Sequence, residues 1–181
     1  MFSPALYYNE VIDKMSGQYT FNRHQLRVEP QTPSQDHGPR PFIVDINKAT
    51  LNNDTYRTAL WTGAHLQLTV MSIPVGHDIG LEIHHDHDQF LRIEGGQGLA
   101  QMGSQKDQLY FSQPVYDDSA IFIPAGTWHN VTNTGSKPLK LYSIYAPPEH
   151  PKGTIHLTKE SSAQAQSSQP IPYSPNSSYT Y

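Results

Sequence analysis

The chain has 181 residues with a formal net charge of −4 at pH 7, and no basic run marks it as a nucleic-acid binder. It contains no cysteine, which excludes disulfides, thiolate metal sites and cysteine nucleophiles. Apolar residues make up 36% of the chain, less than the roughly 45–50% typical of a globular domain. The deficit lies mainly at the two ends, so the sequence predicts one domain with extensions.

Residues 1–40 are predicted to form an N-terminal extension. Four prolines that break any long helix lie within it or just after it: Pro30, Pro33, Pro39 and Pro41. Its first residues lack the basic and apolar regions of a signal peptide. The most apolar stretch of the chain, residues 66–75, is too short and too polar to span a bilayer. We therefore expect a cytoplasmic protein that does not contact membranes, and a spore-coat or cell-surface layer is the alternative location.

Residues 41–157 contain many short runs rich in Val, Ile, Leu, Thr and Tyr, and Gly, Pro, Asn or Asp separates most of them. The predicted strands are residues 42–45, 56–62, 65–73, 81–84, 89–94, 98–102, 108–111, 120–123, 129–133 and 139–145. The one plausible helix is short, at residues 49–53. Without long helical patterns between strands, the sequence predicts an antiparallel all-β sandwich or barrel. Without an internal repeat, it predicts one barrel rather than two.

Residues 158–181 differ from the rest because they are polar and low in complexity. They carry too few apolar side chains to offset the entropy of ordering, so we predict a disordered tail. Its last part places Tyr173, Tyr179 and Tyr181 among Ser, Pro and Asn. Such an end would suit assembly or cross-linking.

The first segment with candidate chemistry lies in the middle of the chain. Alternate residues of a strand point to the same side, so Glu82 and His84 are expected to project together. A turn after His84 would reverse the chain and place Gln89 on the inner face of the next strand. Gln89 is preferred to Asp88 as the inward residue, because an inward Asp88 would also turn Arg92 inward.

The second segment is a turn containing Pro124 and Gly126, after which His129 opens another strand. Two imidazoles and one carboxylate, with positions left open, are a donor set that suits divalent first-row metals. Glu82, His84 and His129 would supply this set, and the Gln89 amide would be a fourth ligand.

His85 and His87 offer an alternative pair of ligands with His-x-His spacing. In that register only one residue separates them from Gln89, which leaves little room for a turn. We therefore treat them as solvated turn residues and prefer Glu82 and His84. A protein that binds no metal is the third possibility.

These two segments resemble the paired motifs of the cupin superfamily. Pro124, Gly126, His129 and Asn133 match the second motif at the expected spacing, with Asp117 or Asp118 where a leading Gly would fall. In the first motif, His84 takes the slot of the second His, Glu82 stands where the first His is usual, and Gln89 occupies the slot of a Glu. The resemblance covers residues 42–146. It implies a single cupin-type barrel (a double-stranded β-helix or jelly roll) with one divalent ion at Glu82, His84, Gln89 and His129.

The resemblance implies a metal-dependent protein that acts on a small oxygen-rich ligand. The Glu-x-His opening is similar to phosphomannose-isomerase-like cupins, so sugar isomerisation is the first expectation, with Glu82 as the candidate catalytic base. An Fe(II) dioxygenase and a non-catalytic structural or assembly protein are the alternatives. Fe, Mn, Zn and Ni all fit the donor set. No Arg or Lys cluster lies near the motifs, which favours a neutral sugar or small organic acid over a sugar phosphate. Pairing of exposed sheet edges predicts a homodimer.

Overall fold

The structure is a computed structural model that describes residues 36–167, with side chains to residue 164. Most of the predicted N-terminal extension and the tyrosine-bearing end of the tail therefore lie outside the described residues. Among the helices that the structure describes, none is long and apolar enough to cross a membrane.

The described residues form nine strands and two short helices, which confirms the predicted all-β class. The strands are β1 (Arg57–Thr62), β2 (Gln67–Ile73), β3 (Asp88–Gly95), β4 (Gln97–Gly103), β5 (Phe111–Tyr116), β6 (Ala120–Ile123), β7 (Trp128–Asn133), β8 (Leu139–Ala146) and β9 (Ile155–His156). The helices are α1 (Ile46–Leu51) and α2 (Lys159–Ser167). Most strands were predicted to within two or three residues of their observed bounds.

Three predicted strands are absent or shifted. Residues 42–45 lead into α1, because the Asp45 side chain caps that helix by accepting a hydrogen bond from the Lys48 backbone nitrogen at 3.0 Å. Residues 81–84 pair with another segment only through one isolated bridge. Of residues 108–111, only the last belongs to a strand.

Two antiparallel sheets build the barrel. The larger has the strand order β6-β3-β8-β2-β1-β9, and the smaller has the order β5-β4-β7. Both contribute to one apolar core, in which Leu91 and Leu141 from the larger sheet lie with Ala100 and Val131 from the smaller. A fully buried Leu or Val contributes on the order of 1.5–3 kcal/mol relative to an exposed one, so this shared core holds the two sheets together.

The inner face of the larger sheet changes from apolar at one end to polar at the other. Strands β2 and β8 pair in register, and the successive inward pairs are Ile73 with Leu139, Met71 with Leu141, Thr69 with Ser143, and Gln67 with Tyr145. All eight side chains are buried. Buried polar groups are costly unless they find partners. The polar end is therefore where a binding site is expected, and Gln89 lies there, opposite Tyr145.

Helix α2 lies at the start of the segment 158–181 that the sequence predicts to be a disordered tail. Thr158 and Ser161 exchange side-chain to backbone hydrogen bonds of 3.1 and 3.3 Å at the start of the helix. Lys159 forms an ion pair with Asp78, and Ser162 is buried. Caps and contacts with the barrel thus order a segment whose composition alone does not favour structure.

Candidate metal centre

Backbone hydrogen bonds bring the two candidate segments together. Glu82 and His129 form an isolated bridge with reciprocal N–H to carbonyl bonds of 3.1 and 3.0 Å. The Gly126 N–H donates to the His84 carbonyl oxygen at 2.7 Å. These three bonds fix the backbone positions from which the side chains of Glu82, His84 and His129 project.

The backbone geometry of the second segment explains its residue types. Gly126 has a φ of +75° in the turn before β7, a conformation that glycine adopts without strain. Asp118 has a φ of +67°, and it occupies the slot in which the motif usually has glycine. The Asn133 side chain donates to the carbonyl oxygens of Ile73 and Lys137 at 2.9 and 2.8 Å, so it holds the end of β7 in place and is not a ligand.

The structure brings Glu82, His84 and His129 to one point. One potential ligand atom from each lies within 4.8 Å of the other two. Glu82 Oε1 is 3.3 Å from His129 Nε2 and 3.6 Å from His84 Nε2. Both imidazoles are buried and the carboxylate is half-buried. The spatial convergence expected from the sequence is therefore present.

The hydrogen bonding of His129 decides which of its nitrogen atoms is available. Nδ1 lies 2.9 Å from the Thr127 carbonyl oxygen, which can only accept, so Nδ1 carries the hydrogen. In the neutral ring, Nε2 then presents a lone pair toward Glu82 Oε1. Neither atom has a hydrogen-bond partner among the described residues, and His84 Nε2 has none either. Buried polar atoms in natural proteins nearly always find partners. A divalent cation between these three atoms would satisfy all of them, so the residues fit a metal.

The Gln89 side chain points into the barrel and keeps its amide oxygen free. Gln89 is buried whereas Asp88 is exposed, in agreement with the predicted alternation. Its Nε2 donates to Ser143 Oγ at 2.9 Å, and its Oε1 has no partner among the described residues. Asp88 instead accepts a hydrogen bond from the Ala125 nitrogen at 2.8 Å. That the Gln89 amide binds an ion stays a prediction.

His87 requires a correction, because the sequence suggested a solvated turn residue. It is buried, and its ring stacks on that of His84 with centroids 4.7 Å apart. Its Nε2 lies 3.5 Å from Glu149 Oε2. The segment that follows β8 supplies Glu149 and covers His87, which no local pattern indicates. His85 is exposed, as expected, so the two histidines do not act as a pair.

His84, His87 and Glu149 form a second group that could hold a cation. His84 Nδ1 is 3.6 Å from Glu149 Oε2, while its Nε2 faces Glu82. The ring of His84 therefore lies between two carboxylates. A carboxylate beside the second nitrogen of a metal-binding histidine typically fixes the orientation and tautomer of the ring. Glu149 is in position for this supporting role.

Burial and charge act on the site in opposite directions. Burial alone would raise the pKa of Glu82, but its contacts with His129 and His84 and the charge of Arg57 hold that pKa far below its usual range. Burial alone would lower the pKa of His84, but Glu82 and Glu149 raise it. Glu82 is therefore ionised at neutral pH, as a metal ligand must be.

Arg57 is a functional candidate that the sequence did not indicate; it is a single arginine and not the Arg or Lys cluster that was looked for near the motifs. It is 1% exposed and pairs in register with Met71 of the core, so it faces the barrel interior. Its charge reaches Glu82 and His84. The available signal was a charged residue within an otherwise uncharged strand. Arg92, by contrast, points outward as expected and pairs with Glu94 at 2.9 Å.

Comparisons with known proteins agree with this architecture. A family model described as a cupin domain matches residues 69–145. The protein YrkC of Bacillus subtilis is 64% identical over 132 residues, which cover 73% of this chain and 71% of YrkC. The protein L612 of Acanthamoeba polyphaga mimivirus is 40% identical over 122 residues, covering 67% of this chain and 74% of L612. The crystal structure of BH2720 from Bacillus halodurans is 64% identical with a TM-score of 0.71, covering 72% of this chain and 98% of BH2720.

Proposed function

Because this chain belongs to the cupin superfamily, we propose that it is a metal-dependent cupin that acts on a small oxygen-rich ligand. Glu82, His84, Gln89 and His129 would hold one divalent first-row ion. The observation that carries the proposal is the unpartnered pair of Glu82 Oε1 and His129 Nε2, 3.3 Å apart in a buried setting. Two lone pairs at that distance repel each other unless a proton or a cation lies between them.

The donor set supports a site that binds a ligand as well as an ion. Two imidazoles, one carboxylate and one amide leave coordination positions open on a first-row ion. When bound, such an ion supplies Lewis acidity to an oxygen atom of the ligand. His129 is oriented by the Thr127 carbonyl and Gln89 by Ser143, which leaves His129 Nε2 and Gln89 Oε1 free.

Glu82 was expected to serve as a base as well as a ligand. Its low pKa favours the role of ligand, because a general base works best with a pKa near the operating pH. Glu149 is a second carboxylate near the site, exposed and with its Oε2 3.5 Å from His87 Nε2. We propose that proton transfer, if the reaction needs it, uses the pair of Glu149 and His87.

Two kinds of reaction remain within this proposal. Sugar isomerisation is the first expectation, and an Fe(II)-dependent oxygenation is the alternative. The metal that the purified protein retains would separate them, since iron together with oxygen uptake supports the oxygenase and zinc without oxygen dependence excludes it. A non-catalytic assembly protein is supported instead if neither metal nor turnover is found.

Metal analysis of the purified full-length chain, produced without a metal-binding tag, tests the proposal. We expect one ion per chain in the wild-type protein. His129→Ala should lose the ion, whereas His85→Ala should keep it, because His85 is exposed and outside both candidate groups. His87→Ala should lose less metal than His129→Ala. The reverse order would move the site to His84, His87 and Glu149.

A homodimer is part of the same proposal. Strand β6 is one edge of the larger sheet in the described part of the chain, and Phe122 on it is 71% exposed. Phe122 contacts Phe90, and the ring of Phe90 also lies 6.1 Å from that of Tyr142. An aromatic group on an open sheet edge suits pairing with a second copy.

A further inference from the structure

Arg57 is buried and makes few hydrogen bonds, and the carboxylates that balance its charge, Glu82 and Glu149, act on it from a distance. A guanidinium has five N–H donors, yet Arg57 donates a hydrogen bond, among the described residues, to Ser162 Oγ at 3.5 Å. Its Nε has no partner there, and no carboxylate of the described residues lies within 4.0 Å. The ring of Tyr56 lies 5.7 Å from the guanidinium carbon. Burying a charge with so few partners is unfavourable, so a missing anion is the simplest physical account.

The surroundings of Arg57 connect it to the metal centre. His156 pairs with Arg57 in register across β1 and β9. From there, ring contacts run from His156 to His150 at 6.3 Å, from His150 to Tyr145 at 5.3 Å, and from Tyr145 to His84 at 5.8 Å. A group bound at Arg57 would therefore belong to the same interior as a group bound at the ion.

The two histidines near Arg57 each have one ring nitrogen that is free among the described residues, and both rings are neutral at pH 7. His150 Nε2 and His156 Nδ1 are buried and have no hydrogen-bond partner among the described residues. Burial, together with the charge of Arg57, lowers the pKa of His150 to about 3 and also lowers that of His156. Neutral rings can donate a hydrogen bond without adding charge. One cation with neutral donors matches a singly charged planar anion better than a doubly charged phosphate.

We propose that Arg57 is the anion-binding residue of the barrel interior and that the ligand carries a carboxylate group there. A guanidinium fork binds a carboxylate through two parallel hydrogen bonds. Glu82 lies within electrostatic range of Arg57 and partly balances it in the metal-free protein. An ion bound to Glu82 would remove that balance and strengthen the attraction for an anion. The claim that this carboxylate belongs to the substrate rests on the proposed function. The claim that Arg57 binds a carboxylate does not.

Calorimetric titration of the full-length protein with acetate and with malonate tests this inference, in metal-free and metal-loaded forms. We expect saturable binding to the wild-type protein, tighter in the metal-loaded form. Arg57→Met should weaken malonate binding by about tenfold or more, because a charge-assisted pair is lost, and Arg57→Lys by less. Arg92→Met is the matched control, since Arg92 pairs with Glu94 outside the barrel, and it should bind like wild type.

The outcomes separate the two proposals. Binding that is equal in wild type and Arg57→Met, or no saturable binding of either acid, overturns the inference. Arg57-dependent binding without metal uptake would contradict the metal site and leave the inference standing. If Arg57→Met does not fold, the arginine Nε–H resonances of the wild-type protein provide the readout. One of them should shift during the malonate titration, and unchanged resonances overturn the inference.

Discussion

His129 Nε2 lies 3.3 Å from Glu82 Oε1, and reciprocal backbone hydrogen bonds join the two residues. Neither of the two side-chain atoms has a hydrogen-bond partner among the described residues. The backbone thus holds close together two side-chain atoms whose lone pairs repel each other when the His129 ring is neutral. The arrangement is stable if the imidazole is protonated or if a cation lies between the two atoms.

Ser143 is predicted to control metal affinity without touching the ion. Its hydroxyl accepts from Gln89 Nε2 and so keeps Gln89 Oε1 free. Ser143→Ala should weaken ion binding by about tenfold, the lower end of the range for partners that orient ligands. Ser104→Ala, at an exposed position, is the control. Calorimetric ion titration measures both, and equal affinity of the two variants would remove Gln89 from the ligand set.

As pH is lowered, metal affinity should begin to decrease at a pH above 6.5. Glu82 and Glu149 raise the pKa of His84 above its ordinary value of 6.5, although burial opposes them. Proton and ion compete for the same lone pair, so protonation interferes at a higher pH than for a free histidine. Ion titrations between pH 5.5 and 8.5 would show the decline. Affinity that stays constant down to pH 6 would contradict it.

The metal-free protein should show the opposite dependence. Protonated His84 stabilises the fold through Glu82, because its folded pKa is raised. That contribution is complete below the unfolded value and is lost as pH rises through the folded pKa. Thermal melting of metal-free wild type and His84→Gln across this range checks the sign. A wild-type protein whose stability relative to His84→Gln increases between pH 6.5 and 8 would refute this linkage.

Asp36 is predicted to stabilise the fold away from the site. Its two oxygens accept hydrogen bonds from Thr62 and Gly38 on one side, and from Thr62 and Gly153 on the other. An amide could accept only half of them. We expect Asp36→Asn to lower the free energy of unfolding by about 1–2 kcal/mol at pH 7, without changing metal content.

The contribution of Asp36 should also depend on pH. Burial alone would raise the pKa of Asp36, but these hydrogen bonds lower it below 3.8. The stabilisation is therefore present above the unfolded value and is lost as pH falls through the folded pKa. Urea unfolding of wild type and Asp36→Asn at pH 7 and pH 3 measures the difference. A difference that is larger at pH 3 would contradict the assignment.

Phe122 is predicted to lie in a dimer interface. Replacing this exposed edge residue by serine removes apolar area from β6 and should shift the protein toward monomer, while Phe111→Ser, on the edge strand β5, should not. Sedimentation velocity on full-length proteins measures this. Deleting residues 1–40 tests whether the extension takes part. A monomeric wild type would exclude the dimer altogether.

What the sequence could predict was set by local patterns. The turn with Pro124 and Gly126 before His129, and the alternation that turns Gln89 inward, are properties of neighbouring residues, and both are found in the structure. The alternation of residues also predicted that Glu82 and His84 project to the same side, as they do. Residues 81–84 nevertheless form only an isolated bridge and no strand.

What the sequence could not predict depends on distant contacts. Arg57 faces the interior beside Met71 of β2, and β9 pairs with β1 on its other side only after the chain has returned over the barrel. The same returning segment places Glu149 over His87. Neither residue has a spacing signal, since their neighbours in space are far away in the chain. Helix α2 likewise depends on contacts such as that of Lys159 with Asp78.

Anomalous diffraction at the metal absorption edge, from crystals of the full-length protein, tests the central claim most directly. The account predicts one peak per chain, about 2.0–2.2 Å from Glu82 Oε1, His84 Nε2 and His129 Nε2, the distance typical of such ligands. A peak between His87 and Glu149 would contradict the account. The absence of any peak inside the barrel, in crystals grown from protein incubated with the ion, would contradict it as well.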